Sequence, residues 1–354
     1  MFSFRTTPVG EQMDKALTEG KVGVFCTQNC WDPAAGIYLY DIFRERGNLG
    51  PIMMPKDSEL TPGTNHIDFS PADLEGLSAV VVEIQDVGAR YFNYTRDVMQ
   101  LLSMRARSFD GPALYVVDHI NPAGRVVEGS IPALDAGLWT PKVAHRHGLT
   151  LGELCCLWHD ELDAKYPLHI ISARVSEVGR NLLPWTIAPA SDIPGLFTCE
   201  MYSGGGLWNG TNISPAIGTA RPYEYFGAPW IKTGDVRFLP TPAGVMMRPC
   251  SFTPAAGRYA GQRCFGYQIM LQPGAQYHSL MHTLQLIRHF ADSYSAFEMN
   301  PDLFTKLADP VMEEYLRGRL SFDVVQEHLK TEEQKWIRKA RRYLLYDDSP
   351  CRIK

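Results

Sequence analysis

The chain has 354 residues, a net charge of −5 and 45% apolar residues, which is typical of a globular protein with about two domains. The acidic balance gives no support for nucleic-acid binding, since no basic stripe exists outside the C-terminal helix. No apolar run approaches the roughly 18 residues that span a bilayer. The N-terminus also lacks the apolar core of a secretion signal. We therefore expect no membrane span and a cytoplasmic location for the chain as given, or an exported one if a signal has been trimmed.

The first half of the chain alternates apolar, β-branched runs with segments that have helical spacing of apolar residues. The runs predict strands and the spaced segments predict helices. The predicted strands are Lys21–Thr27, Pro51–Met54, Ala79–Ile84, Ala113–Val117 and Leu168–Val175, and the predicted helices are 12–19, Ile37–Arg46, Asp97–Arg107 and Thr150–Tyr166. This alternation predicts βαβ units and a doubly wound sheet.

Polar side chains gather where three of these strands end. The groups are Gln28 to Asp32 after the first strand, Gln85, Asp86, Arg90 and Tyr91 after the third, and Asp118, His119 and Asn121 after the fourth. In open α/β sheets, ligands bind outside the carboxyl ends of the strands. We therefore expect these loops to form one wall of an active site.

The composition changes near Glu177, where Gly, Pro, aromatic residues and small polar residues begin to dominate. We predict a domain boundary there, with domains at 1–176 and 177–354. Tyr202–Ile231 predicts a long loop, which is either functional or packed between the domains. A strand is predicted at Gly266–Leu271, and amphipathic helices at Ser279–Tyr294 and Phe322–Leu345.

Thr150 and Glu153 form a sequence pattern that caps helices. A Thr followed three residues later by a Glu predicts a capping box at the start of the fourth helix. The structural interpretation of Glu153 is therefore stronger than a catalytic one.

The sequence lacks the common signatures of cofactor and metal sites. FCTQNC stands where a dinucleotide fingerprint would follow the first strand, which argues against an enzyme with a nucleotide-linked substrate. The eight cysteines are scattered without zinc-site spacing, as expected in a reducing compartment. We therefore predict no cofactor and no metal.

The remaining inventory of loop carboxylates, aromatic residues, amides and arginines suits a carbohydrate ligand. Arginine binds carboxylates bidentately, and Asp or Glu provides acid–base catalysis. Glycoside hydrolysis typically needs two carboxylates that flank the scissile bond. The candidates on strand-end loops are Asp32, Asp57, Glu59, Glu83, Asp86, Asp118 and Glu128, and spacing alone does not choose among them.

Five segments together resemble the NamZ-type exo-β-N-acetylmuramidase family. They are EIQDVGARYFNY (83–94), DHINPAGRVVEG (118–129), RHGLTLGEL (146–154), GTNISPAIGTARPYEYFGAPW (210–230) and SFTPAAGRYAGQRCFG (251–266). The resemblance implies a Rossmann-like three-layer α/β N-terminal domain, a smaller α+β C-terminal domain and a site in the cleft between them. It also implies release of N-acetylmuramic acid, or a related amino sugar, from peptidoglycan fragments.

The resemblance also places individual residues on motif positions. We predict that Asp86 and Glu128 are the catalytic carboxylates, with Asp57 as a further candidate. The residues predicted to contact substrate are Lys56, Arg90, Tyr91, Asn121, Arg146, His147, Asn209, Asn212, Thr219, Arg221 and Glu224. Among these, Arg146 and Arg221 are the expected anion binders.

Three positions depart from the pattern of the family. Lys56 stands where relatives carry the proposed catalytic Glu, Asn209 stands where they tend to carry Glu, and Pro215-Ala216-Ile217 replaces Glu-Gly-Arg. Either Asp57 or Glu59 takes over, or the substrate differs, or the protein no longer hydrolyses. Lys56 could instead pair with the lactyl carboxylate of a muramic acid. The alternative function is therefore a non-hydrolytic protein that binds an amino sugar or muropeptide. The oligomeric state is not legible from the sequence.

Overall fold

The computed structural model describes residues 8–33, 35–55, 65–66, 70–108, 110–133, 141–173, 187–232, 234 and 236–346. The strands are β1 Lys21–Cys26, β2 Trp31–Asp32, β3 Ile37–Tyr38, β4 Leu49–Met54, β5 Asn65–His66, β6 Leu77–Glu83, β7 Ala113–Asp118, β8 Leu168–Ser172, β9 Tyr225–Ala228, β10 Val245–Phe252 and β11 Cys264–Leu271. The helices are α1 Lys15–Thr18, α2 Leu39–Arg46, α3 Asn93–Ala106, α4 Leu151–Glu161, α5 Leu196–Gly205, α6 Ser279–Ser293, α7 Pro301–Leu307, α8 Pro310–Leu316 and α9 Phe322–Ala340.

A six-stranded parallel sheet with the strand order β5-β4-β1-β6-β7-β8 organises the N-terminal part of the chain. Val24 of β1 pairs with Ile52 of β4 on one side and with Val81 of β6 on the other. After β1, the strands β4 and β5 lie on one side of it, and β6, β7 and β8 lie on the other side. The point where this order reverses lies between β1 and β6, and such a switch point is where doubly wound sheets bind ligands.

Helices cover both faces of this sheet, because successive side chains of a buried parallel strand point to opposite faces. Val80 and Val82 of β6 pack in one cluster with α3 and α4. Ala79 and Val81 pack in the other cluster with α1 and α2. The sequence consequently reads as a continuous apolar run at β6, since both sets of side chains are fully buried.

The C-terminal part adds an antiparallel sheet with the order β10-β11-β9 and the helices α5 to α9. Its largest buried side chains, Trp208 and Trp336, belong to the same apolar cluster as α3 and α4. The Trp336 indole also donates to the His147 carbonyl oxygen over 2.8 Å. The two parts of the chain therefore share one core on the α3/α4 face of the parallel sheet.

The predicted α/β class, with a three-layer first part and a mixed second part, is confirmed by this architecture. The capping box is present at the start of α4, where Thr150 accepts from the Glu153 amide and Glu153 accepts from the Thr150 amide. The strand β10 and the helices α7 and α8 were not predicted. Within the described ranges, no helix has the length and apolar character required to cross a bilayer.

The predicted loop Tyr202–Ile231 is wrong for much of its length, since it includes the end of α5, a 3₁₀ turn at Gly206–Gly210 and strand β9. The glycines in this segment serve close packing. A Cβ on Gly204 would lie 2.1 Å from the Ser279 carbonyl oxygen, so only glycine lets α5 approach the start of α6.

Candidate active site at the switch point of the sheet

A carboxylate and an imidazole face each other at the carboxyl ends of two neighbouring strands. Glu83 is the last residue of β6, and His119 directly follows the last residue of β7. The Glu83 Oε1 and His119 Nε2 atoms are 3.1 Å apart, and the side chains are 14% and 25% exposed. We call these two residues the strand-end pair. They reach solvent beside the switch point, which is the position expected for a ligand site.

The environment of His119 favours its charged form. Burial by itself lowers the pKa of His119, but the hydrogen bond to Glu83 and the negative charges of Glu83 and Asp118 raise it above the usual value. Since Nε2 is directed at Glu83, the other ring nitrogen, Nδ1, is the one left to meet a ligand; the structure gives it no hydrogen-bond partner among the described residues. A protonated imidazole of this kind can donate a proton from Nδ1 to a bound molecule.

The loop after β1 lies on the other side of the switch point. Glu83 lines a small cavity with Cys30 and Asp32 from this loop. Burial, followed by the neighbouring Cys26, raises the pKa of Cys30 well above its usual value, so Cys30 carries no thiolate for nucleophilic attack. Asp32, a predicted candidate, accepts from the Ala35 amide over 3.0 Å and is half-buried.

The C-terminal part of the chain reaches over this same edge. Gln28 donates to the carbonyl oxygens of Ala188 and Pro189 over 2.9 and 3.0 Å, and Asn29 donates to that of Ile187 over 2.9 Å. These amides hold the segment 187–193 against the carboxyl end of β1. Amide side chains at a strand end thus serve here to join the two parts of the chain.

The predicted carboxylate Asp86 follows Glu83 by three residues in the sequence, and it lies in a buried cluster. It is 2% exposed and accepts from the Gly88 amide over 2.8 Å and from the Thr95 hydroxyl. His147 Nε2 lies 3.2 Å from Oδ2, the carboxylate oxygen that also accepts from the Gly88 amide. Burial raises the pKa of Asp86, but the charge and hydrogen bond of His147, with the Thr95 and Gly88 contacts, hold it below the usual value.

The predicted carboxylate Glu128 joins the two parts of the chain. It is fully buried and accepts from Arg146 over 2.8 Å, from the Ser203 hydroxyl of α5 over 2.9 Å, and from the Ser279 hydroxyl and Leu280 amide at the start of α6 over 2.8 and 2.9 Å. Burial raises its pKa, but the charges of His278 and Arg146 and these hydrogen bonds bring the pKa below the usual value. Glu128 is therefore an ionised anchor for the N-terminus of α6.

Asp86, Glu128, Arg146 and His147 form what we call the buried network. Arg146 and Glu128 exchange two backbone hydrogen bonds, and the His147 amide donates to the Gly88 carbonyl oxygen over 3.1 Å. The structure thus brings these four predicted site residues together, as adjacent members of one cluster. In this conformation protein encloses both carboxylates, so their direct contact with substrate stays a prediction.

Arg90, Tyr91 and Asn121 are also buried or packed among protein groups. Arg90 is 1% exposed and donates to backbone carbonyl oxygens, among them those of Ser130 and Leu307. The Tyr91 hydroxyl donates to the Tyr202 carbonyl oxygen over 3.0 Å. Asn121 is 3% exposed and donates to the Leu149 carbonyl oxygen over 2.8 Å. Gly88 lies against this amide with a φ of 84°, and a Cβ there would be 2.7 Å from Asn121 Oδ1.

The remaining predicted residues that the structure describes lie in the C-terminal part of the chain. Arg221 is exposed and donates to Glu224 over 2.9 Å, and Asn209 is an exposed partner of the Tyr223 hydroxyl. Thr219 donates to the Ala216 carbonyl oxygen over 2.8 Å. Asn212 is buried and connects to Ala296 and Glu298. These contacts hold the C-terminal part together.

Lys56, Asp57 and Glu59 lie outside the described residues. Their roles stay as predicted from the sequence. Glu83 is one of the seven carboxylates among which sequence spacing does not choose, and His119 is predicted only as part of a polar loop. The signal that favours both is their position directly at the ends of two strands that the fold places side by side.

Comparisons with known proteins agree with this architecture. Residues 64–186 match the family model described as exo-beta-N-acetylmuramidase NamZ, N-terminal, and residues 200–346 match the corresponding C-terminal model. A similar curated protein is the peptidoglycan beta-N-acetylmuramidase NamZ of Bacillus subtilis (strain 168), with 28% identity over 294 residues, covering 78% of this chain and 69% of the relative.

Two solved structures of DUF1343 family proteins from Bacteroides fragilis share the fold. One has a TM-score of 0.76 and the other 0.78, both at 19% sequence identity. Each comparison covers 96% of this chain, with 97% and 98% of the solved chains. At this level of identity the likeness concerns the fold alone.

Proposed function

Because the chain belongs to the exo-β-N-acetylmuramidase NamZ family, we propose that it is a glycoside hydrolase that releases N-acetylmuramic acid, or a related amino sugar, from peptidoglycan fragments. The observation that supports particular catalytic residues is the strand-end pair, Glu83 and His119. It combines a carboxylate and an imidazole at 3.1 Å, partial exposure and a position beside the switch point.

In this proposal His119 is the proton donor. The charged imidazole gives the Nδ1 proton to the glycosidic oxygen as the bond from that oxygen to the anomeric carbon breaks. Glu83 holds the ring through Nε2 and stabilises its positive charge, as a carboxylate partner does for a catalytic histidine. The neutral imidazole then takes a proton from the water that adds to the anomeric carbon, which restores the starting state.

An N-acetylated sugar brings its own nucleophile. The acetamido oxygen can attack the anomeric carbon, so this chain needs no second carboxylate to form a glycosyl-enzyme bond. A carboxylate that orients the acetamido group is still required. Asp57, which the sequence analysis gave as a further candidate for a catalytic carboxylate, follows β4, the neighbour of β1 in the sheet. We assign this orienting role to Asp57, which lies outside the described residues.

The test compares two substrates of N-acetylmuramic acid, one with a nitrophenol leaving group and one with a sugar leaving group. We expect His119→Gln to lower kcat for the sugar-linked substrate by about 10²–10⁴-fold, the range of general acid–base catalysis. The loss should be much smaller for the nitrophenyl substrate, because nitrophenolate leaves without a proton. Glu83→Gln should also lower the rates for both substrates, with the larger loss for the sugar-linked one.

The matched control is His289→Gln, which replaces a half-buried histidine of α6. It should leave both rates within about twofold of the wild type, because His289 lies in α6 and its ring packs against Phe290 of the same helix. Equal losses on both substrates in His119→Gln would show that His119 does not donate the proton. Absence of N-acetylmuramic acid release by the wild-type protein would overturn the proposed activity itself.

The second candidate function is binding of an amino sugar or muropeptide without hydrolysis. It is favoured by one observation, the Lys56 that replaces the proposed catalytic Glu of relatives. Calorimetry with N-acetylmuramic acid and N-acetylglucosamine separates the candidates. Binding of the free sugar by a protein that releases no product from either substrate would select this second function.

A further inference from the structure

A pocket with a volume of about 180 Å³ lies between the start of α3 and helix α7. We call it the α3–α7 pocket. Its lining includes Arg90, Tyr91, Asn93, Arg96, Thr305 and Lys306. Among the described residues the lining contains three cationic side chains and no carboxylate. An excess of positive charge in a concave site attracts anions.

The Arg90 guanidinium lines this pocket, and its hydrogen bonds to described residues all go to uncharged groups. It donates to the Ser130 and Lys306 carbonyl oxygens over 2.7 Å each and contacts His145 Nε2 at 3.0 Å. Burial lowers its pKa to about 10, although Tyr91 and Asp309 act in the opposite direction. A buried positive charge without a carboxylate in contact is costly unless a counter-charge comes close.

The Lys306 ammonium is the second unneutralised charge. Within the described part of the chain, the Lys306 ammonium makes one long hydrogen bond of 3.4 Å to the Gly206 carbonyl oxygen and no ion pair with a carboxylate. The ammonium lies 6.0 Å from the centre of the Tyr91 ring. Burial lowers the pKa of Lys306, and the charge of Asp302 opposes this only in part. An anion in the pocket would favour the charged form of Lys306.

Arg96 and the first turn of α3 complete the pocket. Arg96 is 47% exposed, and its Nε atom lies 3.8 Å from Asp97, which is too far for a strong ion pair. Helix α3 has 14 residues and begins after Phe92, which supplies no side-chain capping hydrogen bond. The backbone N–H groups of this first turn therefore add to the positive potential.

We propose that the α3–α7 pocket is a binding site for an oxyanion, either a free phosphate or the carboxylate of a sugar acid. Lys306 and Arg96 bind the oxygens, and Arg90 supplies positive charge from behind without moving. The volume suits one such group and not a whole muropeptide. This site is separate from the strand-end pair and requires no turnover, so it goes beyond the proposed hydrolysis.

Calorimetry on the full chain tests this site with inorganic phosphate, N-acetylmuramic acid and N-acetylglucosamine. The last two sugars differ by the lactyl carboxylate. We expect phosphate, N-acetylmuramic acid or both to bind, and Lys306→Met and Arg96→Gln each to weaken that binding by about tenfold. Binding of phosphate alone identifies a free anion as the ligand, and binding of the sugar acid alone identifies a carboxylate.

The matched control is Lys330→Met on α9, where the lysine is 72% exposed and 3.9 Å from Glu327. It should bind both anions as the wild type does. The exposed Arg96 provides a variant that keeps the fold if Lys306→Met is destabilised. The proposal is overturned if no anion binds, or if binding is the same in the wild type and Arg96→Gln. Neither result depends on hydrolysis, so failure here is distinct from failure of the proposed activity.

Discussion

The buried network and the strand-end pair use the same residue types for different purposes. In the buried network Glu128 contacts Arg146 and Asp86 contacts His147, each carboxylate also accepts from backbone or hydroxyl donors, and the four residues are 3% exposed or less. In the strand-end pair the contact is single and both residues reach solvent. Both groups come from the same sequence motifs, since Glu83 lies in 83–94 and His119 in 118–129. The comparison teaches that a motif does not by itself distinguish a residue that joins the two parts of the chain from one that remains accessible.

The largest effect should come from breaking the ion pair that anchors α6. Glu128→Gln leaves Arg146 as a buried charge without its partner, which costs about 3–5 kcal/mol of unfolding free energy. Urea denaturation gives this value. The control Glu327→Gln, at a side chain that is 75% exposed, should change stability by less than about 0.5 kcal/mol. A loss at Glu128 as small as that of the control would mean that Glu128 does not anchor the two parts.

Asp86→Asn should have a smaller effect, with a defined pH dependence. A hydrogen-bonded charge of this kind contributes about 1.5–3 kcal/mol. Since the pKa of Asp86 is lowered in the folded state, its contribution is present above the unfolded value of about 3.9 and is lost as pH falls through the folded value. The stability difference between the wild type and the variant should therefore shrink below about pH 4. A difference that stays constant with pH would contradict the ionised state of Asp86.

Asp118 shares a feature with each group. It is fully buried, like the buried network, and it directly precedes His119 of the strand-end pair. Burial raises its pKa to about 6, despite hydrogen bonds from Gly152, Thr150 and Tyr346. Its contribution to stability is therefore full below the unfolded value of about 3.9 and is lost as pH rises through about 6.

The Tyr346 hydroxyl donates to Asp118 over 2.9 Å and favours the carboxylate. Tyr346→Phe should cost about 1 kcal/mol at pH 7 and less at pH 5, where the protonated acid needs this donor less. Thermal unfolding at the two pH values measures the difference. An equal cost at the two pH values would contradict the raised pKa of Asp118, because an acid with an ordinary pKa is ionised at both.

The smallest expected effect is a change in the pKa of His119 in the strand-end pair, with the fold unchanged. The pKa of His119, measured by NMR titration of the ring, should lie above the usual value of about 6.5. In Glu83→Gln it should fall, because burial remains while the neighbouring charge is removed. An unchanged pKa in the variant would mean that the two side chains do not interact in solution.

Much of the fold follows from local patterns in the sequence. The β-branched runs at Val22 to Phe25 and at Ala79 to Val82 specify buried parallel strands, and Thr150 with Glu153 specifies the start of α4, because these signals depend on neighbours along the chain. The segment around Gly204 misled the prediction. The glycine at 204 allows α5 to pack closely against the start of α6. The neighbouring residues in the sequence do not indicate this contact, because α6 is distant along the chain.

The sequence by itself determined the α/β class, the polar strand ends and the carbohydrate-type inventory of residues. Only the tertiary structure decided which of those polar groups are enclosed and which remain accessible. Glu83 ends β6 and Asp86 follows three residues later, yet packing of the C-terminal part buries the network of Asp86, while Glu83 stays at an open edge beside His119. Burial and charge pairing depend on residues that are distant along the chain, such as Ser279 for Glu128, and a local pattern does not contain them.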